Sequence, residues 1–140
     1  MSRFTPEEIA YFQSQPLGRL ATVGANGDPH VVPVGFRYNP DLDAIDIGGH
    51  GFAASKKYRD VARSGRAAFV VDDLVSTDPW TPRMITVRGR AETLASGGQG
   101  IMPFFDAEMV RVFPERIVSF GINAEGIAAD ARSAPERAVE

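Results

Sequence analysis

The sequence predicts a mainly β (α+β) domain, a small antiparallel barrel of about six strands with short flanking helices. Three observations carry this. Short runs of alternating apolar and polar residues recur along the chain, each closed by Gly, Pro, Asn or Asp. Hairpin signals join neighbouring runs, Asn26-Gly27 above all. Strands and helices do not alternate regularly and no GxGxxG follows a strand, which excludes a doubly wound parallel sheet.

A chain of 140 residues fits one domain with a core of its own, here residues 1–124, followed by a polar tail at 125–140 expected to be flexible. Hydrophobic residues at 44% and charged ones at 24% are ordinary for a soluble globular protein. Fifteen basic against 18 acidic residues give a net charge of −3, which argues against nucleic acid as partner but leaves room for a local anion pocket. The absence of cysteine removes disulfides, thiolate catalysis and Cys-based metal sites. MSRFTPEE lacks an apolar signal core and no apolar run reaches spanning length, so a cytoplasmic protein without membrane contact is expected.

Thr5-Pro6-Glu7-Glu8 is a capping box with proline at the first helical position, and Phe4 and Ile9 can staple across it. A helix should start there and stop before Pro16. Strands follow at Gly18–Val23 and His30–Tyr38, paired through the Asn-Gly turn. Pro33 and Gly35 in the second strand mark an edge, a bulge, or a place where something flat lies against the backbone. Asn39-Pro40-Asp41 turns the chain into a third strand at Ala44–Ile47.

Gly48, Gly49 and Gly51 then lead to Ser55, a good N-cap, which puts Lys56 and Lys57 at the first two helical positions. Two lysines at the positive end of a helix are mildly unfavourable unless an anion such as phosphate neutralises them. The alternative is that Lys56, Lys57 and Arg59 line a solvated face. Ser64-Gly65 closes the helix, a strand runs over Ala67–Val71, and Asp72–Pro82 reads as a loop. Trp80 lies between two prolines, where a core strand is impossible. It is either a loop anchor or an aromatic wall of a pocket or dimer seam.

Arg83–Leu94 alternates cleanly and is the clearest strand, with Arg88 and Arg90 pointing the same way. After the flexible Ser96–Gly100 loop, a helical turn is expected around Pro103–Ala107. One last strand over Glu108–Phe113, bent at Pro114, should resume through Ile117–Phe120. His30 and His50 are too few for a metal site, no nucleophile–base pair is visible, and the carboxylates of Asp72-Asp73 would point to opposite faces if they lay on a strand. The residues therefore supply little chemistry of their own. A cofactor would have to carry the reaction.

Four segments taken together, PHVVPVGF, DIGGHGFAASKKYRDV, VRGRAE and RIVSFGI, resemble the split β-barrel flavin and deazaflavin family named for pyridoxamine 5′-phosphate oxidase. Within it the chain is most similar to the small coenzyme F420-dependent oxidoreductases, over roughly Phe4 to Ile122. The resemblance implies a six-stranded split barrel of the FMN-binding type and a homodimer with two cofactor sites at its interface. It implies F420, or alternatively FMN, and reduction of a small unsaturated or quinone-like substrate. The family's phosphate-binding Ser-Arg-Lys matches Ser55-Lys56-Lys57, and its ring-lining segments match Val32-Pro33-Val34 and Ile47-Gly48-Gly49. Trp80 and Arg83 would come from the other subunit, near the ring or the substrate. Arg59 and Arg63 are candidates for the anionic tail of F420, and Trp80, Phe36 and Phe52 for an apolar pocket border. No segment matches the oxidase's C-terminal substrate clamp, so pyridoxamine oxidation itself is not expected. A non-catalytic carrier of flavin, deazaflavin or haem is the third reading.

Overall fold

A computed structural model describes residues 2–123 and 137–138 of the chain. Two helices, α1 (Pro6–Ser14) and α2 (Lys56–Ser64), flank eight strands: β1 (Gly18–Val23), β2 (Pro29–Asn39), β3 (Ala44–Gly48), β4 (Arg66–Thr77), β5 (Trp80–Leu94), β6 (Met109–Val112), β7 (Arg116–Phe120) and β8 (Arg137–Ala138). Six of them, β1, β2, β3, β6, β5 and β4 in that order, close into an antiparallel ring, and β7 and β8 extend it outward from β5. Every pairing is antiparallel, as the hairpin signals require.

Two long strands change partners midway, and this splits the barrel. β2 pairs with β1 from Pro29 to Val34 and with β3 from Gly35 onward. β5 pairs with β7 over Met84–Arg88 and with β6 over Ala91–Leu94. A glycine stands at each change. At Gly89 a side chain would come within 2.1 Å of the Phe113 carbonyl oxygen, and at Gly35 within 2.7 Å of the Phe105 ring. Neither position can carry a Cβ without displacing what crosses it.

The pleat sends Leu20, Val34, Phe36, Ile45, Ile47, Phe69, Val71, Ile85, Val87, Val110 and Val112 inward, where all are buried. α1 packs on β2, and α2 packs on β1 and β5. α1 is fixed by the expected capping box, with Thr5 accepting from the Glu8 amide and Glu8 reaching back to the Thr5 amide at 2.9 Å. It lays Phe12 against Tyr38, stacked at 6.2 Å, with Phe4 at 5.1 Å edge-on to Phe12. α2 is tied to β1 through Asp60, whose carboxylate accepts from Thr22 Oγ1 at 2.8 Å.

Three expectations change. The stretch Asp72–Pro82 is not a loop: β4 runs on to Thr77, and Asp78-Pro79 turns directly into β5 at Trp80. Pro82 is tolerated because the register shifts between Leu74 and Ser76 beside it, so no ladder donor is needed there. Residues 103–107 form turns rather than a helical turn, the short 3-10 helix lying earlier, at Gly98–Gly100. The last strand is two strands on different partners: β6 joins β3 and β5, and β7 joins β5 alone within 2–123. Most of the expected tail lies outside the described residues, of which Arg137–Ala138 pair with Ile117 and Arg116. Among the described residues no helix is long and apolar enough to cross a membrane.

Candidate functional site

The turn from Gly48 to Ser55 leaves β3 at the barrel's rim and delivers α2. Gly51 takes a left-handed conformation, φ 58°, and opens a 3-10 turn whose Phe52 is fully buried. Ser55 then caps α2 as its sequence position implies: it is extended, and its hydroxyl accepts from the Tyr58 amide while donating to Phe52 O at 2.6 Å. Helix geometry leaves the first amides of α2, those of Lys56 and Lys57, without intrahelical acceptors.

The two lysines behind that cap differ. Lys56 Nζ lies 3.2 Å from Asp60 Oδ1, one turn along the same helix, so its charge is matched within the protein. Asp60 is buried, and burial alone would raise its pKa. The hydrogen bonds from Thr22 and Lys56, with the charges of Lys56 and Arg63, outweigh burial and hold it below the usual carboxylate range. Lys57 has no such partner among the described residues. Its ammonium stands 5.0 Å over the Phe52 ring, and desolvation lowers its pKa. A cation that is half removed from water, beside free helical amides and without a carboxylate, is a ready anion contact.

His30 shares this end of the barrel. It pairs in register with Thr22, the residue that anchors Asp60, and its Nδ1 is buried without a hydrogen-bond partner. An orphaned buried acceptor or donor of this kind is a costly feature that a bound polar group relieves.

The remaining expected site residues lie as follows. Pro33 is exposed on the outer face of β2, whereas Val34 is core and Val32 packs against the core, because a strand cannot turn three successive side chains one way. Gly48 pairs with Gly35, and both are crossed on their outer face by Phe105; a side chain at Gly48 would come within 2.9 Å of that ring. Gly49 accepts from the Asp106 amide at 2.9 Å. Arg59 donates to Ala54 O at 2.6 Å and Arg63 to Val23 O. Arg83 makes two hydrogen bonds to Asp73, at 2.9 and 2.8 Å, and covers the Tyr11 ring at 4.9 Å. Tyr11 donates to the same Asp73, and its pKa is pushed up by burial and then by that carboxylate. Arg83 is thus engaged inside its own chain. Trp80 is 69% exposed at the β4–β5 turn. Phe36 and Phe52 are core residues.

Sequence reasoning passed over Phe104 and Phe105. They follow a glycine-rich loop and show no periodicity, so only their pairing as consecutive aromatics marked them. In the structure they flank the same turn: Phe104 stacks on His50 at 5.8 Å, and Phe105 meets His50 edge-on at 6.2 Å.

Residues 4–136 match the family model described as pyridoxamine 5′-phosphate oxidase. Over 122 residues the chain is 44% identical to the 5a,11a-dehydrotetracycline/5a,11a-dehydrooxytetracycline reductase of Streptomyces rimosus subsp. rimosus, covering 87% of this chain and 86% of that protein. Among solved structures it is similar to a conserved hypothetical protein of Mycobacterium tuberculosis, with TM-score 0.66 and 20% identity, covering 100% of this chain and 97% of that one. It is also similar to the FAD binding protein of Mycobacterium smegmatis, with TM-score 0.61 and 20% identity, covering 85% and 96%. The split ring of six strands, the capped turn before α2 and the family match agree: the chain belongs to the pyridoxamine 5′-phosphate oxidase family.

Proposed function

We propose that this protein is a cytoplasmic oxidoreductase that uses coenzyme F420 to reduce a small unsaturated or quinone-like substrate. The observation that carries the reading is Lys57, a desolvated cation with no carboxylate partner among the described residues, at the Ser55-capped start of α2. The 44% identity to a reductase supports the reaction class. The residues fit a phosphorylated cofactor: Lys57 and the free α2 amides would hold its phosphate, and the orphaned His30 Nδ1 lies at the same end of the barrel. When bound, the reduced deazaflavin supplies the hydride.

The chain's own share is orientation and exclusion of water. Lys57 neutralises the phosphate, while the Lys56–Asp60–Thr22 chain keeps α2 in place beneath it. Pro33 is exposed on the outer face of β2, next to the Gly35–Gly48 pair that Phe105 covers. No general acid or base is required of the protein for hydride delivery itself.

We further propose a homodimer. On the outer face of the sheet Val31 pairs with Ala21, and Ala21 with Ala68, in one cross-strand apolar row. Val31 is 64% exposed, and Val23 and Trp80 are exposed as well. A second copy would cover this row and bring its Trp80 turn toward the cofactor.

One observation favours FMN. Arg59 and Arg63, the cations placed to meet an anionic tail, are both tied to backbone carbonyls, and FMN needs no tail contact. Fluorescence titration of the purified protein with F420 and with FMN, at low and moderate salt, separates the two. Tighter and salt-sensitive F420 binding supports the first reading, and tighter FMN binding the second. Binding of neither ends both.

A further inference from the structure

The substrate side of the site has no assigned residue, and the aromatic residues expected there are core or stand at the β4–β5 turn. The segment after the 3-10 helix supplies another surface. Phe105 lies across the glycine pair Gly35 and Gly48, where any side chain would collide with it, so its ring has one seat. Phe104 packs edge-on to Phe105 at 5.3 Å and lies nearly parallel to His50, 25° apart at 5.8 Å. Despite these contacts Phe104 is 62% exposed.

Hydrogen bonds hold the segment in this pose. Gly98 N donates to Ala107 O at 2.8 Å, Asp106 N to Gly49 O at 2.9 Å, and Phe52 N to Asp106 Oδ2 at 3.1 Å. The last two pin it to the turn that carries Lys57. A contact chain therefore runs from the Lys57 ammonium through Phe52 and Asp106 to Phe105, Phe104 and His50. The aromatic surface and the anion contact border one turn.

We propose that Phe104, seated on His50 and Phe105, is the platform on which a flat, fused-ring substrate stacks. The inference rests on the reductase reading for its purpose, though its geometry does not. An exposed ring whose orientation is already fixed by two neighbours loses little freedom when a second flat system covers it. Trp80 is more exposed, but no ring packs on it among the described residues.

The test uses the full chain and tetracycline as probe, its own fluorescence reporting binding, with F420 and FMN titrations run separately. Phe104→Ala is expected to weaken tetracycline binding about tenfold, and Phe104→Tyr to stay within about twofold of wild type. Wild type that fails to bind tetracycline, or Phe104→Ala that binds it as well as wild type, overturns the platform. So does a Phe104→Ala protein that loses only its dimer. Tetracycline binding that depends on Phe104 in a protein taking neither cofactor keeps the platform and removes the reductase reading.

Discussion

Two buried carboxylates set the structural and the functional halves of this molecule apart. Asp46, on β3, is 2% exposed at its side chain and fully answered: Arg111 reaches it at 2.7 and 3.2 Å, Asn39 at 3.0 Å and Arg37 at 3.6 Å. Its network closes on itself across β2, β3 and β6. Asp60, on α2 and 7% exposed at its side chain, answers Lys56 but not Lys57, which is left with an aromatic face. A closed charge network fixes a fold, whereas one cation left over makes a binding contact.

Breaking the closed network should cost most. Asp46→Ala leaves Arg111, 17% exposed at its side chain, without its carboxylate, and is expected to lower unfolding free energy by about 3 kcal/mol in urea titration. Cofactor affinity of the folded fraction should not change; a matching loss of affinity would erase the contrast. Lys57→Ala should do the reverse, weakening cofactor binding by about 2 kcal/mol while the apo melting temperature holds or rises. An apo-protein that unfolds would make Lys57 structural.

The pH dependence sharpens the same contrast. Only protonated Lys57 attracts phosphate, and its folded pKa lies below the usual lysine value of about 10.4, lowered by desolvation. Affinity should therefore fall severalfold as pH rises through that lowered value, and Lys57→Ala should flatten the curve. Titrations between about pH 7 and 10 would show it. The smallest effect is expected at Lys56, whose side chain is 42% exposed. Lys56→Ala should cost about 1 kcal/mol of stability. Asp60, held below its unfolded value, stabilises above about pH 4 and loses that contribution as pH falls through its folded pKa. Without Lys56 the acid limb of a melting-temperature profile should begin at higher pH.

Local chemistry that acts within a few residues was legible in the chain. The Thr5 capping box, the Asn26-Gly27 hairpin, the limits of β1 and the Ser55 cap all depend on neighbours in sequence, and each is found where the residues place it. What escaped depends on partners far along the chain. Pro79 and Pro82 argued for a loop, yet the pairing of Leu74 to Val70 with Pro82 to Thr86 carries the strand through. Gly35 could be read as a bulge or as a surface for something flat. It marks a change of partner, and its space is taken by Phe105, some seventy residues on. Of the site, the anion end was legible because a helix cap has a sequence signature. The His50–Phe104 stack has none, since two loops meet there only after the barrel closes.

The long β4–β5 hairpin also bears on the order in which this chain folds. Its strands face each other from Arg66↔Arg90 to Thr77↔Trp80 across a two-residue turn, so its contacts close small loops. The ring shuts elsewhere, where Leu20 meets Phe69 across roughly fifty residues of chain. Zipping the hairpin first and joining β1 to β4 last is the route of least entropy loss. Truncations at Val71 or Val87 should then slow refolding, while those at Leu20 speed unfolding instead. The candidate site hangs on the late step, because α2 is tied to β1 through Thr22, and the anion contact forms only when the barrel is complete.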